Sequence, residues 1–547
     1  VNTAEQPPAQ RPWLVLGILC IGFFMSLLDG SIVNIAIPTL THRIGATYDQ
    51  VLWVVDAYLL VFSVLLITTG RLGDIFGYRR LFLTGVSVFT IASTLCGLAG
   101  SPGQLLGARV LQGLGAAILF PQVISSIVAI FPPRLRGRAF GVFGAIVGTA
   151  PMLGPIVGGV VLAHLDWRWI FFINVPVGAV TVVLALLFVP AVRPGHAHQL
   201  DLVGVALATA GLTGIVFGLV EGERSDWATI SGPISVPSVI VVGALLLVLF
   251  VFWQRVQRGR RGEPLMPLDL FASGRNFPVG NWIGFVFQLG MIGVSFVLVI
   301  YLQTARGYSP LQAGLILLPN AVLTALGSAV AGRLSDKIGA KFVLMAGMAT
   351  LALGLVVLVV MARADAAAWQ LLPGLVIIGV ASGATFAPLQ QATMDGVEPR
   401  LAGAASGVAG TTRQVGGVLG TAVVGVVLTA CLGSVLRGAA EERASQLPVA
   451  LRARFVEAVV AGGDSFRPPS APSGLSLADT AVFERVGHET FAAAYVTAMR
   501  VTLLASAAAL VVAALCCLLL RGRGPNQPRP EVGAAEDTKE PQATAEG

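Results

Sequence analysis

Apolar runs of about twenty residues follow one another almost from end to end of this chain, the length an α-helix needs to cross roughly 30 Å of hydrocarbon. Their unbroken character predicts helices, since a barrel strand alternates apolar and polar positions. Fourteen spans are predicted, over 13–38, 51–70, 81–100, 104–130, 140–162, 168–190, 201–221, 233–254, 277–303, 310–331, 341–362, 370–393, 402–432 and 490–520. An external segment, 433–489, has helical periodicity over Leu451–Val460 and is expected to cap the outer face.

The polar intervals contain a repeat. Gly70–Arg79 reads GRLGDIFGYR and Gly332–Lys341 reads GRLSDKIGAK, with Gly, Arg, Leu, Asp, Gly and a terminal base in register. One copy follows the second predicted span and the other follows the tenth. Two equal halves of seven spans would put the second copy on the wrong side of the membrane, so the spacing predicts six spans, an insert of two, and six more. The expected units are an N-terminal cytoplasmic tail at 1–12, six spans over 13–190, two inserted helices with cytoplasmic linkers over 191–276, six spans over 277–520 that include segment 433–489, and a disordered cytoplasmic tail at 521–547. That tail is rich in Pro, Glu, Gln and Ala and lacks apolar residues to bury.

Composition agrees with a bilayer as solvent: 55% of residues are hydrophobic and 12% charged, where a soluble domain has about a quarter charged. Mean hydropathy is +0.82. The net charge of +7 does not point to nucleic acid, because the basic residues gather in alternate connections such as Arg71/Arg79/Arg80, Arg134/Arg136/Arg138 and Arg333/Lys337/Lys341. By the positive-inside rule these connections, and both termini, are cytoplasmic. The five cysteines lie in or beside spans and suggest no disulfide framework. No phosphate-binding loop, HExxH, CxxC or nucleophile elbow is present, so neither an enzyme nor an ATP-driven pump is expected, and no metal or cofactor.

Charged side chains inside spans are costly and are read as functional candidates. Asp29, Asp56 and Arg109 all fall in the outer half of the membrane, at depths differing by several Å at about 1.5 Å per residue. Burial disfavours an ionised carboxylate and a neighbouring guanidinium favours it, so such a pair is an acid that helix movement can switch. The alternative is an ion pair that only fixes packing. Gln112 and Gly113 share the face of Arg109. Gly154, Pro155, Gly158 and Gly159 in span five allow close helix approach and a kink. Arg413 is the one charge on a glycine-lined face of span thirteen, suited to local pairing or to substrate contact. Asn34, Gln112, Asn281, Gln288 and Asn320 are candidate cavity groups, or polar glue between helices.

Taken together, these residues resemble the major facilitator superfamily, specifically its fourteen-spanner drug:proton antiporter branch, over nearly the whole chain. Gly70–Arg80 looks like the hinge between spans two and three, RVLQGLGAA at Arg109–Ala117 like a span-four proton-relay motif, and Gly148–Gly159 like the antiporter motif. LDGSIVNIAIP at Leu28–Pro38 and WRWIFFINVPVG at Trp167–Gly178 are similar to the branch's span-one signature and span-six entry. The resemblance implies an all-α membrane protein of two six-helix bundles rocking about a central site, with two extra helices between them. It implies Asp29 and Arg109 as proton-coupling residues, joined on depth alone by Asp56. Gly70, Arg71, Asp74, Gly77, Arg79 and Arg80 would form a gating hinge, with Gly332, Asp336 and Gly339 in a second copy that departs from the first at Ser335 and Ala340. The function expected is proton-driven export of amphipathic or hydrophobic small molecules from a bacterial inner membrane by a monomer, with the proton gradient as energy source. A proton-coupled uptake permease and a non-transporting sensor are the alternatives.

Overall fold

A computed structural model of the chain describes residues 11–191, 200–224, 227–232, 234–259, 263–272, 274–464, 466, 468–473 and 475–521. The expected tails and part of the 191–200 linker lie outside them. The first half comprises α1 (Pro12–Arg43), α2 (Tyr48–Phe76), α3 (Tyr78–Leu98), α4 (Pro102–Ile130), α5 (Arg136–His164), the single turn α6 (Trp169–Phe172) and α7 (Asn174–Phe188). Next comes a hairpin of α8 (Leu202–Arg224) and α9 (Val236–Gly259), joined through two short antiparallel strands, β1 (Thr229–Ser231) and β2 (Ile234–Ser235). After the short α10 (Asp269–Ala272), the second half comprises α11 (Asn276–Ile300), α12 (Pro310–Ile338), α13 (Ala340–Met361), α14 (Leu372–Met394), α15 (Ala402–Ala444), α16 (Val449–Asp464) and α17 (Leu477–Cys516).

Among the described residues, 13 helices are long and apolar enough to span a bilayer, or 14 when α5 is taken as one span bent by 44° between Pro133–Pro151 and Leu153–His164. Pro151 and Pro155 lie inside α5 and each removes a backbone donor. Segment 433–489 differs from a simple loop. The 43-residue α15 and the 40-residue α17 run on past the apolar stretches, and with α16 they bury Leu436, Phe455, Val459, Phe483 and Phe491 in one core.

The repeat is visible in how two helices begin and end. α2 and α12 each have 29 residues and start with a capping box, Thr47 with Gln50 and Ser309 with Gln312, which satisfies two orphan N–H groups. Each stops at a glycine with positive φ, 91° at Gly77 and 94° at Gly339, a conformation strained for residues that carry a Cβ. Gly77→Val is expected to cost about 1–3 kcal/mol, read as lowered thermal stability of the detergent-purified protein. Gly103→Ala, where an added Cβ meets nothing within 4 Å, should have no such effect.

The halves meet chiefly along two pairs, α2 with α15 and α5 with α12. Close approach needs glycine at these contacts. A Cβ on Gly70 would collide with the Gly403 carbonyl, and one on Gly332 with the Gly137 carbonyl. Both described chain ends lie at the same end of the bundle as the two hinges: Trp13 packs edge-on to Phe131 at 5.0 Å, and Lys341 Nζ donates to the Leu518 and Leu520 carbonyls at 2.7 and 2.8 Å. The α8–α9 hairpin packs beside α2 and α15. Its return segment tucks under the first half, burying Leu265 and Leu270 and setting Glu263 Oε2 3.5 Å from Arg71 Nη2.

Candidate functional site

Asp29 and Arg109 are both fully buried. The α1 backbone places the carboxylate against α4, and Arg109 Nη1 donates to Asp29 Oδ2 at 2.5 Å. Gln112, one turn along α4, donates through Nε2 to Asp29 Oδ1 at 2.9 Å while its Oε1 accepts from Arg109 Nη1 at 2.7 Å. Asn174 Nδ2, at the first residue of α7, donates to the same Oδ1 at 2.8 Å and lies 3.0 Å from Ser93 Oγ. The guanidinium is fixed from the other side by α2: Nε donates to the Val54 carbonyl at 3.1 Å, and the Tyr58 ring lies 4.3 Å below its carbon. Arg109 Nη2 has no hydrogen-bond partner among the described residues. A Cβ at Gly113 would stand 2.7 Å from the Tyr58 carbonyl oxygen, so glycine there permits the α2–α4 contact that seats the ring.

This arrangement has a definite chemical capacity. Asp29 accepts from three donors on two helices, so a proton arriving on either oxygen removes the charge that these hydrogen bonds stabilise and weakens them. Four elements then feel the change: α1, α4, α7 and, through Arg109, α2. Asp56 is half-buried on α2 and takes no part in these bonds. Depth along the sequence placed it near Arg109, but depth does not specify which way a side chain faces around its helix.

Asn174 and Tyr58 were not singled out from sequence, although Asn174 lies in the quoted WRWIFFINVPVG. It is the only amide in the predicted span 168–190, a weaker signal than a charge.

The hinges act across the halves. Asp74 on α2 accepts from the Gly403 and Ala404 N–H groups, each at 2.8 Å, at the start of α15. Asp336 on α12 accepts from the Gly137 and Arg138 N–H groups at 2.9 and 3.0 Å, at the start of α5. Each carboxylate thus occupies the N-terminus of a helix in the opposite half, where orphan donors and the helix dipole favour an anion. The copies diverge at their partners. Tyr78 Oη donates to Asp74 Oδ1 at 2.9 Å and reaches the Pro399 carbonyl at the same distance; Ala340 stands at the equivalent place. Asp336 has instead Gln391 Nε2 at 3.4 Å and Arg138 Nε at 3.7 Å. Arg71 is buried beside Glu263, Arg79 donates to the Leu186 carbonyl at 2.5 Å, and Arg80 is exposed.

The span-five glycines form a seam with α1. A Cβ on Gly154 would meet Ser31 and one on Gly158 would meet Ile32, whereas Gly159 faces open space. Pro155 continues the same helix beyond the bend. The cavity candidates separate. Asn320 donates to the Leu375 carbonyl at 3.2 Å and joins α12 to α14; Asn281 donates within its own helix to the Phe277 carbonyl at 2.8 Å. Gln288 is half-buried and Asn34 is exposed. Arg413 is buried and donates through Nη1 to Gln390 Oε1 at 2.9 Å.

A family model described as Major Facilitator Superfamily matches residues 19–421. The chain is 35% identical to a probable actinorhodin transporter of Streptomyces coelicolor, over 83% of this chain and 78% of that protein. It is also 35% identical to a puromycin resistance protein of Streptomyces alboniger, over 80% of this chain and 85% of that one. Among solved structures, the human organic anion transporter MFSD10 superposes with a TM-score of 0.57, covering 94% of this chain and 100% of that chain at 12% identity, a likeness of fold alone.

Proposed function

The chain belongs to the major facilitator superfamily, a multi-pass membrane transporter rather than an enzyme, and on that premise we propose that it is a proton-coupled antiporter exporting amphipathic or hydrophobic small molecules. Its proposed setting is a bacterial cytoplasmic membrane, crossed fourteen times as six, two and six helices, with both termini and both hinges on the cytoplasmic side. It works as a monomer and needs no cofactor beyond the proton gradient. Relatives named for actinorhodin transport and for puromycin resistance support an antibiotic-like cargo.

One observation carries the coupling: the fully buried Asp29, held by Arg109, Gln112 and Asn174 from two other helices. A proton reaching Asp29 Oδ2 cancels the charge that holds Arg109 Nη1 and weakens that hydrogen bond. Arg109 is then free to follow α2 and α4, and the first half changes its packing around α1. At the other end, the Asp74 and Asp336 clamps hold the halves together, so the bundle with both clamps formed is closed on the cytoplasmic side. Export follows when protonation state and clamp state alternate in step.

The energetics suffice. One proton crossing 100 mV releases about 2.3 kcal/mol, and each pH unit adds about 1.4 kcal/mol, enough for roughly a hundredfold cargo gradient. The test is dye or antibiotic efflux from energised cells with and without a protonophore. Efflux should stop on uncoupling. Persistence of uphill efflux after the gradient is collapsed rejects proton antiport.

A further inference from the structure

α15 enters the contact between the halves at Gly403 and is still in it at Gln414, whose Nε2 lies 3.5 Å from Ser63 Oγ on α2. Arg413 stands one residue before that point, 7% exposed. Two rings flank its guanidinium carbon, Phe120 on α4 at 5.4 Å and Phe386 on α14 at 5.5 Å, one from each half. Arg109, also buried in the bundle, has a carboxylate. Arg413 has none among the described residues; its hydrogen bond is to the Gln390 amide.

A guanidinium held inside a membrane bundle with no counter-ion is costly, and ring faces offset that cost only in part. The surrounding polar atoms make the imbalance larger. Gln390 is 2% exposed, its Oε1 is taken by Arg413 Nη1, and its Nε2 is a buried donor with no acceptor. Among the described residues, the Gln390 amide is the single hydrogen-bond acceptor of the Arg413 guanidinium, which leaves Nε and Nη2 without one. The place is therefore positive, rich in donors, short of acceptors, and walled by two aromatic rings.

We propose that Arg413 and Gln390 form an anion-binding subsite of the transport pathway, with Phe120 and Phe386 stacking on the cargo, so that the substrates include planar aromatic carboxylates and phenolates. An anionic oxygen supplies the missing acceptor to the guanidinium fork and the Gln390 amide together, and a flat ring attached to it meets the phenylalanines. Because Phe120 and Phe386 belong to different halves, relative movement of the halves separates the walls and releases the ring. This inference rests on the export reading above.

The test uses the full chain in proteoliposomes carrying an imposed proton gradient. Two planar aromatic probes are compared: carboxyfluorescein, a carboxylate, and ethidium, a cation. In Arg413→Gln the ratio of carboxyfluorescein to ethidium transport should fall about tenfold or more, as expected for losing charge-assisted hydrogen bonds. Arg413→Lys, which keeps the charge but not the planar fork, should show a smaller fall. Gln390→Glu supplies an internal carboxylate to Arg413 and should also lower the ratio, independently of whether Arg413→Gln folds. An unchanged ratio in these variants, or an equal loss of both probes, overturns the subsite. Transport of ethidium but not carboxyfluorescein by the unaltered protein overturns it while leaving proton-coupled export standing; transport of neither removes both.

Discussion

Asp29→Asn is expected to abolish uphill export, dropping the steady-state cargo gradient from roughly a hundredfold to about one, because the work available from one proton is of that size. Asparagine keeps the shape of the side chain but takes up no proton, and an NH2 donor in place of one carboxylate oxygen faces the donors of Arg109, Gln112 or Asn174. Cargo should still equilibrate down its own gradient. Breaking a buried ion pair on one side also destabilises, by about 3–5 kcal/mol, so loss of activity alone is ambiguous. The double variant Asp29→Asn with Arg109→Gln removes both charges, and it should recover stability without recovering coupling. Efflux, counterflow exchange and thermal stability measured on Asp29→Asn, Arg109→Gln and the double variant separate the two effects. Protonophore-sensitive uphill efflux by Asp29→Asn would show that the titrating group lies elsewhere.

Asp74→Ala is the second large effect. It removes the acceptor for the Gly403 and Ala404 N–H groups, both at 2.8 Å, and for Tyr78 Oη. Hydrogen bonds to a charged group contribute about 1.5–3 kcal/mol each, so losing the pair at the helix terminus should shift the balance between hinge-closed and hinge-open forms by about a hundredfold or more. Spin labels at Phe76 and Arg400, both exposed, report the opening as a longer and broader distance distribution in a cysteine-free background. Asp336→Ala should shift the equivalent distance between α12 and α5 by less. Its carboxylate lacks a tyrosine partner, since Ala340 occupies the place of Tyr78. Equal distances in Asp74→Ala and the unaltered protein would mean that the clamp does not set the closed state.

Some of this site is legible in the residues themselves. Asp29 and Arg109 stand out because a charge among apolar residues is expensive, and 1.5 Å per residue puts them at similar depth. Gly77 and Gly339 are visible as paired stops of paired helices. Asn174 is harder to find because an uncharged amide in a span is as often glue as function, and Asn320 is an example of glue. Asp56 has a matching depth, yet on α2 it is the Val54 carbonyl and the Tyr58 ring that contact the Arg109 guanidinium. Arg413 is conspicuous in sequence, while its two aromatic neighbours and the absence of a carboxylate are not.

By itself the chain determined that it is a duplicated helical membrane protein, because burying backbone in hydrocarbon allows few alternatives and repeated polar hinges interrupt the apolar runs at matched places. It also picked out the charges that are expensive to bury in a span. Only the tertiary structure decided where each of those charges goes. Asp74 meets α15 and Asp336 meets α5, residues hundreds of positions or a whole half away, because the two halves pack with each hinge against the other's helix N-terminus. Hydropathy sets the depth of a residue along its helix; rotation about the helix axis and the choice of neighbouring helix come from glycine contacts and side-chain packing, which one-dimensional spacing does not contain.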